Sequence, residues 1–318
     1  MTRVNQEPMR LAIPDLISNS YFPALAAAER GFFERAGIAV SVELIFPVDR
    51  AYAALRQGEI DFVGGAAHAA LAAFPGWHGI KLLGALAQGM YWLLVMRASL
   101  GISRGNLGAL RGRRIGAAPW VEMGLRRILT AAGLDPARDH IEIGPVPGAA
   151  GATINFGLTA AEALAAGKID GFWANGMATE LAVTAGVGTI VLDVRRGDGP
   201  PGCFEYTMPV LATTDRLIER SPETAAAAVR ALVATQHALK QDVAAATAVG
   251  QKRFPPREAG LIAGIVRRDL PFYDASIGEA SVAAMNAFAR DMGVLAGDVA
   301  YEEIVATRFR QLWIAGDR

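Results

Sequence analysis

Ala54-Leu55-Arg56-Gln57-Gly58-Glu59-Ile60-Asp61 returns further along the chain as Ala163-Leu164-Ala165-Ala166-Gly167-Lys168-Ile169-Asp170. In each copy an Ala/Leu-rich helix is expected to stop at the glycine, which has no Cβ and so suits the left-handed position just past a helix end. A short apolar strand is expected to begin at each Ile-Asp pair. The same helix–glycine–strand phrase twice implies two similar α/β lobes. Two lobes imply a cleft, and clefts are where small molecules bind.

The flanking sequence fits that plan. Residues 9–14 read as a first strand and 15–20 as a polar loop. A helix is expected over 22–36, with Pro23 tolerated in its first turn. A strand over 38–45, a helix over 51–57, the strand at Ile60, a helix over 66–73 and strands over 82–86 and 91–96 follow. This alternation is that of a sheet covered by helices. A second lobe is expected from Arg97, with strands over 114–118, 140–146 and 189–194. Its helices fall over 122–132 and 160–166, and residues 148–151 read as a flexible connection. Asp198-Gly199-Pro200-Pro201-Gly202 is a loop, after which a strand over 206–212 returns the chain to the first lobe. From Ser221 onward the pattern is helical, with Pro222 at a first helical position. Lobe one is therefore expected at 1–97 and 210–318 and lobe two at 98–209. The crossings, near 96–99 and 208–211, would form a two-strand hinge.

Composition narrows the function. Of 318 residues 52% are hydrophobic and 19% charged, enough for a sizeable core, and the formal net charge is zero. No basic stripe points to nucleic acid, and no apolar run is long enough to insert into a membrane. The single cysteine, Cys203, excludes an intramolecular disulfide and a Cys-rich metal site. No metal is expected, since no His/Asp/Glu grouping has ligand spacing. No cofactor is expected either, because neither a P-loop nor a dinucleotide fingerprint occurs. Ser103, Ser221 and Ser276 lack a Gly-x-Ser-x-Gly setting. Trp77, His78, His140, His237 and Trp313 are assigned to structure. The stretch from Met1 to Pro8 has no apolar core of the secretory type. The protein is expected to be periplasmic if a leader was trimmed or missed, and cytoplasmic otherwise.

Three stretches carry a resemblance. Phe22-Pro23-Ala24 with Ala28-Glu29-Arg30-Gly31-Phe32-Phe33-Glu34-Arg35-Ala36-Gly37-Ile38 is one. The repeated Ala-Leu-x-x-Gly-x-Ile-Asp phrase is another. The third is Gly101-Ile102 followed by Leu110-Arg111-Gly112-Arg113-Arg114-Ile115-Gly116. In this order they resemble the substrate-binding proteins of nitrate/sulfonate/taurine ABC importers, over roughly residues 9–245. The resemblance implies a periplasmic-binding-protein fold of type II, a monomer, a small-molecule ligand and, if the protein is exported, the membrane subunits of an ABC importer as partners. The related thiamine-pyrimidine synthases use a Lys four residues before a His. His68 matches that His, but Gly64 stands at the Lys position and the family's cysteine cluster is missing, which argues against that chemistry. The sulfonate binders place Gly and Ser/Thr after the strand at Ile115, to hold an anion at a helix N-terminus. Here Ala118-Pro119-Trp120-Val121-Glu122 offers a proline without an N–H and a carboxylate that repels anions.

In such a fold the ligand lies at loops after the carboxyl ends of strands. Ser18, Asn19, Ser20 and Tyr21 follow the first strand and can donate to a ligand, or cap a helix. Gly65 with Gly64 permits close backbone approach. His68 can donate or accept at neutral pH, or serve as a buried structural histidine. Trp120 can stack on a planar ring, as can Trp173, which pairs with the amide of Asn175. Tyr206, near the return crossing, can close over a ligand, and Tyr91-Trp92 is a weaker candidate. Aromatics at three loops point to a planar solute, such as a pyrimidine or an aromatic carboxylate, bound by hinge closure. Two rival readings share the fold. One is a cytoplasmic desulfinase- or decarboxylase-like enzyme using His68 with Glu180 or Glu205, and the other is a cytoplasmic ligand sensor.

Overall fold

The computed structural model describes residues 7–149 and 155–314. Strand β1 (Met9–Ile13) leads through α1 (Phe22–Glu29) and α2 (Phe32–Arg35) to β2 (Val40–Leu44), α3 (Val48–Gln57), β3 (Phe62–Ala66) and β4 (Ile80–Ala85). The middle of the chain forms β5 (Leu93–Arg97), β6 (Arg114–Ala117), α4 (Glu122–Ala131), β7 (Glu142–Gly144), α5 (Phe156–Ala165), β8 (Gly171–Ala174), α6 (Gly176–Thr184) and β9 (Gly188–Asp193). Then come β10 (Pro209–Thr214), α7 (Asp215–Arg220), α8 (Pro222–Gln241), α9 (Ala245–Arg253), α10 (Pro256–Asp269), α11 (Glu279–Asp291) and α12 (Tyr301–Ile304).

These strands form two five-stranded mixed sheets, ordered β2-β1-β3-β10-β4 and β7-β6-β8-β5-β9. Each has a parallel core and one antiparallel insert. β10 lies between β3 and β4, antiparallel to both. β5 lies between β8 and β9, antiparallel to both. The strand expected over 91–96 in lobe one is therefore β5 and belongs to the second sheet. The first crossing falls before Leu93 rather than at 96–99, because an apolar run marks a strand without saying which sheet receives it. The return strand does enter the first sheet. The single helix expected over 22–36 is split at Gly31, whose φ of 68° is left-handed. The segment expected as a helix over 66–73 gives Ala66 to β3 and forms a 3-10 turn over Ala67–Ala72. Gly151, in the expected flexible connection, lies outside the described residues.

The repeated phrase has a structural meaning in both sheets. Gly58 and Gly167 stand at φ 79° and 68° just past α3 and α5. Asp61 Oδ2 accepts the Arg10 backbone N–H at 2.8 Å, and Asp170 Oδ2 accepts that of Arg114 at 2.9 Å. The backbone N–H of each Asp donates in return to the carbonyl of the same arginine. Each Ile-Asp thus pins the start of its strand to the neighbouring parallel strand.

The C-terminal helices complete lobe one. Gln236 on α8 donates to the Ala85 and Leu86 carbonyls, both at 3.0 Å. The edge of β4 is covered by the chain end: Leu82 bridges to Val305, and Trp313 Nε1 donates to the Leu83 carbonyl at 2.9 Å. A covered edge cannot recruit a foreign strand. No described helix is long and apolar enough to cross a membrane.

Candidate functional site

Strands β1, β2, β6 and β8 all end at the junction of the two lobes, and the segments that follow them build its walls. Asp15 comes two residues after β1, behind Pro14, and is 5% exposed. Its Oδ1 accepts the Ile17 backbone N–H at 3.0 Å and Asn155 Nδ2 at 2.7 Å, and its Oδ2 accepts Asn175 Nδ2 at 3.0 Å. Both asparagines belong to lobe two. Asn155 caps α5 by accepting the Leu158 N–H at 3.1 Å, and Asn175 caps α6 by accepting the Met177 N–H at 3.1 Å. A carboxylate of one lobe is thus held by the N-caps of two helices of the other. Burial still pushes its pKa up to about 6, against the three hydrogen bonds that favour the charged form.

Around Asp15 five aromatic side chains line the cleft. Tyr21 and Tyr91 meet edge to face with centroids 6.0 Å apart, and their hydroxyls are hydrogen-bonded at 2.9 Å. Trp92 packs beside Tyr91 at 4.7 Å. Phe46, after β2, stacks on Phe156 of α5 at 6.0 Å, ring against ring across the lobes. Ser18, Val48, Pro119 and Val121 fill the remaining wall. The cavity between them is only about 40 Å³, room for water but far below the roughly 300–1,000 Å³ of a drug-sized ligand site. Next in sequence to the lining residues Val48 and Val121, Asp49 of α3 and Glu122 of α4 each hold a buried oxygen with no hydrogen-bond partner among the described residues. Burial raises the Glu122 pKa, the charge of Asp49 adds to the rise, and Arg126 opposes it.

A second set of ties lies behind the cleft. His68 is fully buried, with Nδ1 2.9 Å from the Thr207 hydroxyl and Nε2 3.0 Å from the Trp120 carbonyl. A carbonyl only accepts, so Nε2 carries the proton and Nδ1 accepts from Thr207. Burial lowers the His68 pKa to about 4, so the ring is neutral at pH 7. Trp120 itself has φ 69°, a left-handed conformation costly for a bulky residue. Trp173 Nε1 donates to the neighbouring Val121 carbonyl at 3.0 Å. On the far side Arg195, with a side chain 7% exposed, pairs with Asp269 at 3.0 Å and donates to the Gln88 carbonyl at 3.1 Å.

Of the residues singled out in the sequence, Ser18, Tyr21 and Asn175 line the cleft. Asn19 instead donates to Asp269 at 2.6 Å, and Ser20 is buried behind the loop. Gly65 sits in β3, where a Cβ would lie 3.0 Å from Val48. His68, Trp120 and Trp173 form the tied layer behind the lining. Tyr206 stacks on Phe288 at 5.0 Å. The lining also contains Asp15, Phe46, Tyr91, Trp92 and Phe156, of which the sequence offers only Tyr91-Trp92, as a weaker candidate. The signal for Asp15 was its place at the end of the first strand. Among the described residues no three His, Cys, Asp or Glu side chains gather as metal ligands.

A family model described as NMT1/THI5 like matches residues 18–245. Among curated proteins there is no significant match. Among solved structures, a protein of Bordetella bronchiseptica RB50 superposes with a TM-score of 0.75 at 19% identity, over 96% of each chain. The alkanesulfonate-binding protein SsuA of Xanthomonas axonopodis pv. citri, bound to MOPS, gives 0.70 at 16% identity, over 94% of this chain and 98% of that one. A point mutant of the desulfurization enzyme DSZB, in complex with biphenyl-2-sulfinic acid, gives 0.64 at 18% identity, over 96% and 98%. Binding proteins and an enzyme thus share this fold, and the fold alone does not choose between them.

Proposed function

The chain belongs to the NMT1/THI5-like family, and on that premise we propose that it binds a small planar or aromatic solute between its two lobes and delivers it to an ABC importer by hinge closure. The observation that carries this reading is the lobe junction itself. Five aromatic rings and one buried carboxylate converge there, and the hydrogen bonds of Asp15 run from lobe one to lobe two. A ligand touching both walls stabilises the closed form, and only contacts that differ between open and closed states shift that balance. The narrow cavity supports a cycle in which the lobes part to admit the solute and shut around it. The membrane subunits of the importer would read the shut form, in the periplasm if the protein is exported.

The enzyme reading draws on the shared fold with the desulfurization enzyme. One experiment separates the two. The protein is melted with pyrimidines, aromatic carboxylates, flavins, sulfonates and nitrate, and any stabilising compound is recovered and identified. Ligand at 100-fold its Kd should add roughly 2.7 kcal/mol. A planar compound that stabilises and returns unchanged supports solute binding. A compound that returns as product makes the protein an enzyme. Stabilisation only by non-planar solutes removes the planar-ligand reading.

A further inference from the structure

The cleft has a sign of charge as well as a shape. Asp15 is its one ionised lining group at neutral pH. Next in sequence to the lining residues Val48 and Val121, Asp49 and Glu122 each hold a buried oxygen without a partner among the described residues, close enough for the charge of Asp49 to act on Glu122. No lysine or arginine among the described residues lines it, and residues 150–154 contain none. Of the nearby arginines, Arg126 donates to the Ile143 carbonyl at 2.9 Å and Arg195 pairs with Asp269, while Arg50 is exposed and lines the adjoining pocket beyond Phe46 and Phe156 rather than the wall around Asp15. The two helix N-termini that would welcome an anion are already capped by Asn155 and Asn175, and the free amide hydrogens of those caps point at Asp15. An anion entering against Asp15 would lose its hydration, meet no cation on that wall and sit against a buried carboxylate. A cation meets the opposite setting. Asp15 Oδ2 accepts a single hydrogen bond, leaving it free to accept another. Tyr21, Tyr91 and Trp92 supply electron-rich π-systems, which attract cations most strongly when desolvated.

We infer that the cleft takes a planar organic cation of the amidinium class, its N–H groups directed at Asp15 and its flat body among the aromatic rings. This rests on the solute-binding reading and adds the charge of the solute to it. The sulfonate and sulfinate ligands bound by two structural neighbours would then not carry over to this chain.

Three probes of nearly equal shape isolate the charge: benzamidinium, benzamide and benzoate. Their binding to the full chain is measured by calorimetry and thermal melting at pH 7.5. Benzamidinium is expected to bind at least roughly tenfold tighter than benzamide, as a charge-assisted hydrogen bond allows, and benzoate weakest. In Asp15→Asn the preference for benzamidinium over benzamide should vanish. Glu122→Gln, beside the lining residue Val121, should reduce it a fewfold, and it keeps the test usable if Asp15→Asn does not fold. Benzamide or benzoate binding as well as benzamidinium overturns the inference and leaves the planar-solute reading in place. A preference that survives both substitutions overturns the role given to Asp15. If none of the three binds while an aliphatic sulfonate or nitrate does, both readings fall. If nothing binds at millimolar concentration, the amidinium assignment falls alone.

Discussion

Asp15 and His68 are both buried, and their pKa values are shifted in opposite directions. The Asp15 pKa is raised from 3.8 to about 6, so between those values the folded state holds a proton that the unfolded state has released. Its contribution to stability is present at low pH and is lost as pH rises through about 6. The His68 pKa is lowered from 6.5 to about 4, so there the unfolded state holds the extra proton. Its contribution is present above pH 6.5 and is lost as pH falls toward 4. Each shift of about two units corresponds to at most about 3 kcal/mol, and the two largely cancel across the same window. Asp15→Asn should therefore make stability fall more steeply on acidification from pH 7 to 4.5. His68→Gln, whose amide can still donate to the Trp120 carbonyl, should flatten or reverse the fall. Urea midpoints across that range check both. Parallel profiles for parent and variants would show that neither group titrates as its burial demands.

At the scale of elements, the two copies of the repeat make unequal demands. The Asp170 carboxylate accepts both the Arg114 N–H and the Arg97 guanidinium, the latter at 2.8 Å, while among the described residues the Asp61 carboxylate accepts the Arg10 N–H alone. Asp170→Ala should cost about 2–3 kcal/mol and Asp61→Ala about 1 kcal/mol, since hydrogen bonds to charged groups are the costlier to lose. Denaturant unfolding measures the difference. β5 imposes a stricter condition on its neighbours. A Cβ on Gly171 of β8 would lie 2.2 Å from Met96 Sδ and 2.7 Å from the Val95 carbonyl oxygen, and one on Gly188 of β9 would lie 2.6 Å from Val95 Cγ1. Gly171→Ala should destabilise the protein by at least about 1–3 kcal/mol, visible in the melting temperature. The caps can be tested in the same way. Asn175→Ala should cost about 1 kcal/mol for the lost α6 cap and also remove a donor from Asp15, so it should weaken solute binding as well as stability.

At the scale of the whole molecule, small-angle scattering should show a smaller radius of gyration with a stabilising solute than without. An unchanged radius would count against closure as the readout. How much of this arrangement was legible in the sequence depended on range. The helix–glycine–strand phrase announced both lobes because its cause is local: a glycine past a helix end and an Asp that ties adjacent strands. The membership of β5 was not legible, since pairing partners are chosen by the completed sheet. The lining of the cleft was legible where a residue sits right after a strand, as with Ser18, Tyr21 and Asn175. Phe46 and Phe156 escaped because their meeting joins segments far apart in sequence, and an isolated phenylalanine reads as core. Trp120 and Trp173 read as stacking platforms, yet their polar atoms are engaged in holding His68 and Val121.

The antiparallel inserts also set an order of assembly. The strands of the second sheet, β5 to β9, are contiguous in the chain, so this lobe can form its complete sheet as soon as Asp193 has been synthesised. The first sheet cannot. β4 is joined to β3 only through β10, which is made after the whole second lobe, and the free edge of β4 waits longer still for Val305 and Trp313. During synthesis β1, β2 and β3 can pair while β4 remains unpaired on both sides, an apolar strand open to foreign partners. A nascent chain of this design passes through a stage in which its later half is finished and its earlier half is not, and it is at that stage, not at the end, that β4 is open to mispairing.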